Sequence, residues 1–308
     1  ADGDLDVYIA NWSGADKLYA NNGIGQLDLV QEITSIGSVT LDAEAADIDN
    51  DGDLDVVAAL LQGREEIMFN LTANPDVLGA SIPVVEALED GVASAASRVV
   101  RAQVYDNAPI YITRYNRVEA SYGVGSFDLG AAAAGNSGGQ VFRAELPGNL
   151  VGSVRYQFRS FDAYGNVGSS AELSYLATAP SPFATPFGNG TAGSSGTPTL
   201  VALSAPIAGS SLALGSEDFG PGSLVAFYLA SAALETPLVL PGPLEIWIGG
   251  TVLLEQVTTA DSQGRALLSV TVPATLPPGF DFAAQAFGVE LSGSASIVAS
   301  PGLAITTL

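Results

Sequence analysis

The chain has no cysteine and no histidine, and only one lysine and one methionine in 308 residues. Without cysteine there are no disulfides, thiolate metal sites or thiol nucleophiles. Without histidine the commonest general acid–base near neutral pH and the commonest transition-metal ligand are both absent. Positive charge is scarce too: ten Lys plus Arg face 33 Asp plus Glu, for a formal charge of −23. So acidic a chain has no electrostatic footprint for nucleic acid and would be repelled by an anionic membrane. The longest apolar run, Leu224 to Leu234, falls short of the ~20 residues that span a bilayer, so no membrane insertion is expected. What survives these exclusions is oxygen chemistry toward hard cations. No secretory leader opens the sequence either, and the expectation is that one has been removed or that the chain is a fragment.

The negative charge is uneven. Residues 1–70 hold fifteen acids against two bases, residues 71–180 ten against seven, and residues 181–308 eight against one. Within the first region lies Asp47-Ile48-Asp49-Asn50-Asp51-Gly52-Asp53-Leu54-Asp55. Acids at positions 1, 3, 5, 7 and 9 of one short loop repel one another unless a cation sits among them. Ca²⁺, which takes six to eight oxygens in flexible geometry, is the natural counter-charge. Gly52 at position 6 permits the tight turn. We read side-chain ligands at Asp47, Asp49, Asp51 and Asp55, a main-chain ligand at Asp53, and Leu54 directed into the core. The site is no EF-hand: position 12 is Ala58, and Val56-Val57-Ala58-Ala59-Leu60 is a strand signal where a helix would start.

Asp2-Gly3-Asp4-Leu5-Asp6-Val7 repeats Asp51-Gly52-Asp53-Leu54-Asp55-Val56 at an offset of 49, and Gly14, Leu18 and Asn21 fall on Gly63, Ile67 and Asn70. A register shared over that length is an internal repeat. Strands are expected at Leu5–Ala10, Lys17–Asn21, Leu54–Leu60 and Glu66–Asn70. In the first copy only half the loop is present, with Asp2, Asp4 and Asp6 as its acids and Gly3 as its turn glycine. The acidic loop, the strand after it and Gly14-Ala15-Asp16-Lys17-Leu18-Tyr19-Ala20-Asn21-Asn22-Gly23 resemble the FG-GAP/VCBS repeat, the calcium-binding blade unit of integrin-like β-propellers. That resemblance implies Ca²⁺ ligation by the alternating acids. It covers about one and a half units, residues 1–74, so the tail of a propeller is expected and not a closed ring.

Seven strands are read in residues 78–178, at Val84–Leu88, Arg98–Tyr105, Ile110–Glu119, Phe127–Ala131, Gln140–Leu146, Val154–Phe161 and Ser170–Leu176. That number in about a hundred residues is the signature of an immunoglobulin-type sandwich. Val154, Tyr156, Phe158 and Ser160 alternate with Arg155, Gln157 and Arg159, giving one buried and one wet face. The stretch Tyr156 to Gly168 resembles fibronectin type III-like domains of bacterial surface proteins, which implies spacing or adhesion. Arg98, Arg101, Arg114, Arg117, Arg143, Arg155 and Arg159 read as solvated strand faces. The sharper reading docks them on the acidic repeats.

Residues 179–196 are rich in Pro, Gly and Ser and read as a linker containing Phe183 and Phe187. Residues 197–308 read as a second, apolar β-sandwich, with strands at Leu200–Leu203, Ser211–Leu214, Leu224–Ala230, Leu244–Trp247, Val252–Val257, Ala266–Val272, Asp281–Ala286 and Leu303–Thr306. The layout resembles small C-terminal β-domains of large secreted bacterial proteins, without the cysteine often found near their start. Phe187 and Trp247 read as core or linker anchors.

The fold class expected is therefore all-β: partial propeller-like calcium repeats followed by two β-sandwiches. No catalytic constellation is visible, since Glu65 and Glu66 are adjacent in a strand and face opposite ways. The sequence predicts a non-enzymatic, calcium-stabilised structural protein, extracellular or on the cell surface, within a self-assembling layer or filament. Its partners would be copies of itself or upstream repeats of the same precursor, with the half-loop at the junction. Two alternatives are an adhesin that grips a surface glycan or protein, with Trp12 and Tyr19 as candidate contacts, and the accessory region of a larger secreted enzyme.

Overall fold

In the computed structural model the residues described are 5–22, 24–33, 39–46, 48–49, 54–61, 65–71, 79–106, 117–162, 164–241, 244–290 and 296–308. Every regular element among them is a β-strand. The first six strands are β1 (Val7–Ile9), β2 (Asp16–Asn21), β3 (Leu27–Ile33), β4 (Thr40–Ala46), β5 (Asp55–Leu60) and β6 (Glu66–Met68). They form two antiparallel sheets, β1-β2-β3 and β4-β5-β6. The repeat holds at the level of hydrogen-bond register. Val7 faces Tyr19 and Ile9 faces Lys17, while Val56 faces Met68 and Ala58 faces Glu66, each pair shifted by 49. Strands β3 and β4 were not anticipated. Thr40-Leu-Asp-Ala-Glu-Ala-Ala46 carries three Ala and one Glu, which favour helices, and only its pairing with β5 makes it a strand. Two sheets are fewer than the four or more blades of a closed propeller.

The middle region comprises β7 (Ser81–Val85), β8 (Gly91–Val92), β9 (Arg98–Tyr105), β10 (Arg117–Val124), β11 (Phe127–Ala133), β12 (Gly135–Gly138), β13 (Val141–Leu146), β14 (Gly152–Phe161), β15 (Val167–Ser169) and β16 (Leu173–Thr178). One sheet runs β12-β13-β9-β7, the other β11-β10-β14-β16-β8, with β15 beside β14. Read in chain order, this is the D-E-B-A and C-F-G arrangement of immunoglobulin-type sandwiches, with β11 as an added edge strand. The expected alternation on β14 is present: Val154, Tyr156, Phe158 and Ser160 are buried, and Arg155, Gln157 and Arg159 are half-buried on the other face. The first strand lies earlier than expected. Glu86 still donates its amide to Arg101 O (2.8 Å), but beyond that bond the Tyr156 hydroxyl takes over, accepting the Leu88 amide (2.9 Å) and donating to the Glu86 carbonyl (2.7 Å). Residues 110–116 of the expected third strand, with Arg114, lie outside the described residues.

The last region holds β17 (Ala184–Phe187), β18 (Val201–Ala202), β19 (Ser211–Ser216), β20 (Leu224–Leu240), β21 (Leu244–Thr259), β22 (Ala266–Thr271), β23 (Asp281–Glu290), β24 (Ser296–Ala299) and β25 (Gly302–Thr306). The sheets β17-β25-β23-β20-β21, with β24 beside β23, and β18-β19-β22 enclose a core that includes Phe219, Val225, Phe227, Leu214, Leu268 and Ile305. The stretch read as a linker supplies β17, an edge strand, which is where a proline such as Pro186 is tolerated. Phe183 is buried in the core, and Phe187 meets Trp247 edge to face at 6.2 Å. Glu290 fastens the same stretch, accepting the amides of Ser194 (2.8 Å) and Gly220 (3.0 Å). Burial alone would raise its pKa, but these donors outweigh burial and hold it below the usual carboxylate value. The two strands read at 244–247 and 252–257 are one. Gly249-Gly250, between them, lies at a register irregularity in which the Ser231 hydroxyl accepts the Thr251 amide.

The two sandwiches share packing. Leu203 and Ala213 belong to the core of the first, and Ala93 to the core of the second. The Phe127 ring covers Gly215, where an added Cβ would lie 2.5 Å from the ring. Asn149, only 4% exposed, donates through its side-chain Nδ2 to Ala205 O (3.0 Å), Ser210 Oγ (3.1 Å) and Ser211 O (2.7 Å), and its main-chain carbonyl accepts the Ala205 amide (2.7 Å).

Candidate metal centre

Of the expected calcium ligands, Asp6, Asp49 and Asp55 fall on described residues. Asp2, Asp4, Asp47, Asp51 and Asp53, with the turn glycines Gly3 and Gly52, lie outside them. Among the described residues no group of three or more His, Cys, Asp or Glu gathers as a metal cluster.

The structure gives Asp55 a role that sequence reasoning missed. Its carboxylate is fully buried and ties the start of the loop to the segment after β6, with Oδ2 accepting the Ile48 amide (2.8 Å) and Oδ1 the Asn70 amide (2.8 Å). Asp6 makes the second of these bonds in the first copy, its Oδ1 accepting the Asn21 amide at 2.9 Å. Each pair is fifteen residues apart, and the recurrence of Asp and Asn at the 49-residue offset was the available signal. A carboxylate has about four acceptor positions, so two backbone donors leave Asp55 with lone pairs for a cation. The all-oxygen donor set of the loop fits Ca²⁺.

Leu54 does not enter the core; it is 40% exposed, and Leu5, its counterpart, is 86% exposed. Neighbouring residues of an extended chain point to opposite faces. With Asp55 drawn inward by two amides, Leu54 is turned out.

Contact between the two repeats centres on Asp16, buried at the start of β2. Its Oδ2 accepts the hydroxyls of Tyr8 (2.7 Å) and of Thr40 from the next sheet (2.8 Å), and its Oδ1 accepts the Asn11 amide (2.7 Å). Burial, then the bond to Asp16, pushes the Tyr8 phenol far above its ordinary pKa. Glu65 occupies the equivalent place in the second copy and is exposed. Asp16→Asn replaces one acceptor oxygen by a donor. It is expected to destabilise the repeat pair by about 1–3 kcal/mol, read as earlier loss of amide protection in β1 and β4 by hydrogen exchange.

Five arginines of the first sandwich are engaged within it. Arg101 pairs with Glu86, Arg117 with Glu119, Arg143 with Glu145, and Arg155 with Asp128 and Glu172. Arg98 lies over the Tyr175 ring. Docking on the acidic repeats, the sharper of the two readings, is not among these contacts. Trp12 is exposed, and Tyr19 is half-buried opposite Val7.

The profile of the FG-GAP-like repeat family matches residues 1–58. No curated protein matches the chain. Among solved structures, the chain is similar to trypsin-activated α2-macroglobulin from Escherichia coli at 13% identity and a TM-score of 0.23, over 94% of this chain and 18% of that one. It is also similar to the fibronectin(III)-like modules of Clostridium thermocellum CbhA, at 10% identity and a TM-score of 0.23, covering 71% of this chain and 92% of that one. The Yersinia pseudotuberculosis adhesin InvE is similar at 14% identity and a TM-score of 0.22, over 72% and 58% of the two chains. At such scores these likenesses carry no argument about fold or activity. The chain thus spans less than a fifth of the α2-macroglobulin it matches.

Proposed function

We propose that this chain is a calcium-stabilised, extracellular structural protein that works within a self-assembling surface layer or filament and catalyses no reaction. The observation that carries the reading is the repeat itself. In the second copy β4 pairs with β5 along its whole length, while in the first copy nothing among the described residues covers the equivalent edge of β1. An unpaired edge with exposed Val7 and Ile9 recruits a strand unless it is blunted. A β4-like strand from another repeat, of the same precursor or of a neighbouring copy, would complete a propeller-type blade of the FG-GAP/VCBS kind. In the complete loop, Ca²⁺ would be held by the side chains of Asp47, Asp49, Asp51 and Asp55 and the Asp53 carbonyl, neutralising charges that otherwise repel.

Sedimentation and electron microscopy of the chain from its native source, in Ca²⁺, test this reading. Large ordered particles are expected, and a monodisperse monomer of the 308-residue chain would end the assembly proposal. A second reading is an adhesin that grips a surface glycan or protein; the outward polar face of β10, β11 and β14, with Ser121, Gln157 and Arg159 beside a hollow, favours it.

A further inference from the structure

Across the outer face of β11, β10 and β14 runs a trough of about 480 Å³, within the ~300–1,000 Å³ usual for small-molecule sites. Cross-strand register explains why it is hollow. Ala131 stands beside Ser121 and Ser121 beside Gln157; in the flanking rows Ala133 and Glu119 lead to Arg159, and Asp128 and Gly123 lead to Arg155. Small side chains on β10 and β11 make the floor, and the long polar side chains of β14 make a wall. The opposite face of the same strands, with Val118, Ala120, Val154 and Phe158, is core.

Arg155 closes one end and is spent there. It lies across Gly123, where an added Cβ would sit 2.9 Å from its Nη2, and its Nε donates to Gly125 O at 2.9 Å while the fork pairs with Asp128 and Glu172. The remaining groups are not spent. The Arg159 guanidinium lies 5.2 Å from the Phe161 ring centre and has no carboxylate or carbonyl partner among the described residues. Gln157 donates through Nε2 to Ser170 O at 2.6 Å, which leaves its amide oxygen to accept. Glu119 is held on one oxygen by Arg117 at 3.0 Å. The Ser121 hydroxyl donates to Gln157 O at 3.1 Å and keeps its lone pairs, whereas Tyr122, in register with Tyr156, packs against the core on the other face.

The lining therefore interleaves a charged donor, Arg159, with acceptors on Gln157, Glu119 and the Ser121 hydroxyl, over a floor with no bulk. Apolar ligands find little to cover, and phosphates or sulfates meet Glu119, Asp128 and Glu172. Vicinal hydroxyls, each able to donate and accept, fit such a set. We propose that the trough binds a neutral oligosaccharide. This inference stands apart from the assembly reading, and either can fail alone.

The test is calorimetric titration of the full chain, in Ca²⁺, with cellohexaose, xylohexaose, mannohexaose and maltohexaose, and with hexagalacturonate as the acidic comparison. At least one neutral hexasaccharide is expected to bind. Arg159→Ala should weaken it by about tenfold or more, and Ala131→Trp, which fills the floor, should abolish it. Arg143→Ala on the opposite sheet should leave affinity unchanged, with circular dichroism confirming that each variant is folded. Absence of neutral binding at about 10 mM, binding of hexagalacturonate alone, or affinity indifferent to both Arg159→Ala and Ala131→Trp would each overturn the proposal.

Discussion

Removing Ca²⁺ with a chelator is expected to split the thermal unfolding of this chain, moving the N-terminal repeats to a lower temperature while the two sandwiches keep their midpoints. The proposed ligands are four side chains and one carbonyl within nine residues, so the apo loop carries uncompensated repulsion. A cation present at a hundred times its dissociation constant contributes about 2.7 kcal/mol by mass action. Two substitutions separate the metal from the scaffold. Asp51→Asn should cost stability in Ca²⁺ and little in chelator, because the role assigned to that side chain is ligation. Asp55→Ala should cost stability in both, because it also strands the amides of Ile48 and Asn70. Calorimetry with and without chelator reads both, and a first transition indifferent to chelator would remove Ca²⁺ from the structural account.

Asn149→Ala is expected to destabilise both sandwiches together, by about 2–3 kcal/mol. The substitution deletes a donor that serves the Ala205 and Ser211 carbonyls and the Ser210 hydroxyl in a buried setting; Ala205 O keeps the Ile207 amide and Ser211 O the Ser204 hydroxyl, so the loss is that of the bonds themselves, at about 0.5–1.5 kcal/mol each. Denaturant unfolding followed by the fluorescence of Trp247, in the second sandwich, is the measurement. Loss of stability there from a change in the first sandwich marks the coupling, while an unchanged midpoint would mean that the two units melt independently.

Alternation made β14 readable, because a strand with one wet face announces itself by period two. The repeat was readable for a different reason: an offset of 49 needs no propensity at all. Strand β4 was illegible because alanine and glutamate lean toward helix and only the neighbouring strand overrides them. The stretch 179–196 looked like a tether because Pro, Gly and Ser carry no periodic signal; Phe183, buried, and Glu290, a hundred residues away, are what order it. Asp55 as a loop brace, Asp16 as the hub between repeats and the trough over Ser121 and Ala131 all depend on which strands lie side by side. Sequence separation conceals that.

The joint around Asn149 has a mechanical meaning. Load arriving at β7 and leaving at β25 crosses from one sandwich to the other through shared side chains, Leu203 and Ala213 on one side and Ala93 on the other, and not through a slack tether. A strut built this way has no elbow at its middle: it transmits torque as well as tension, and its two halves share a pull.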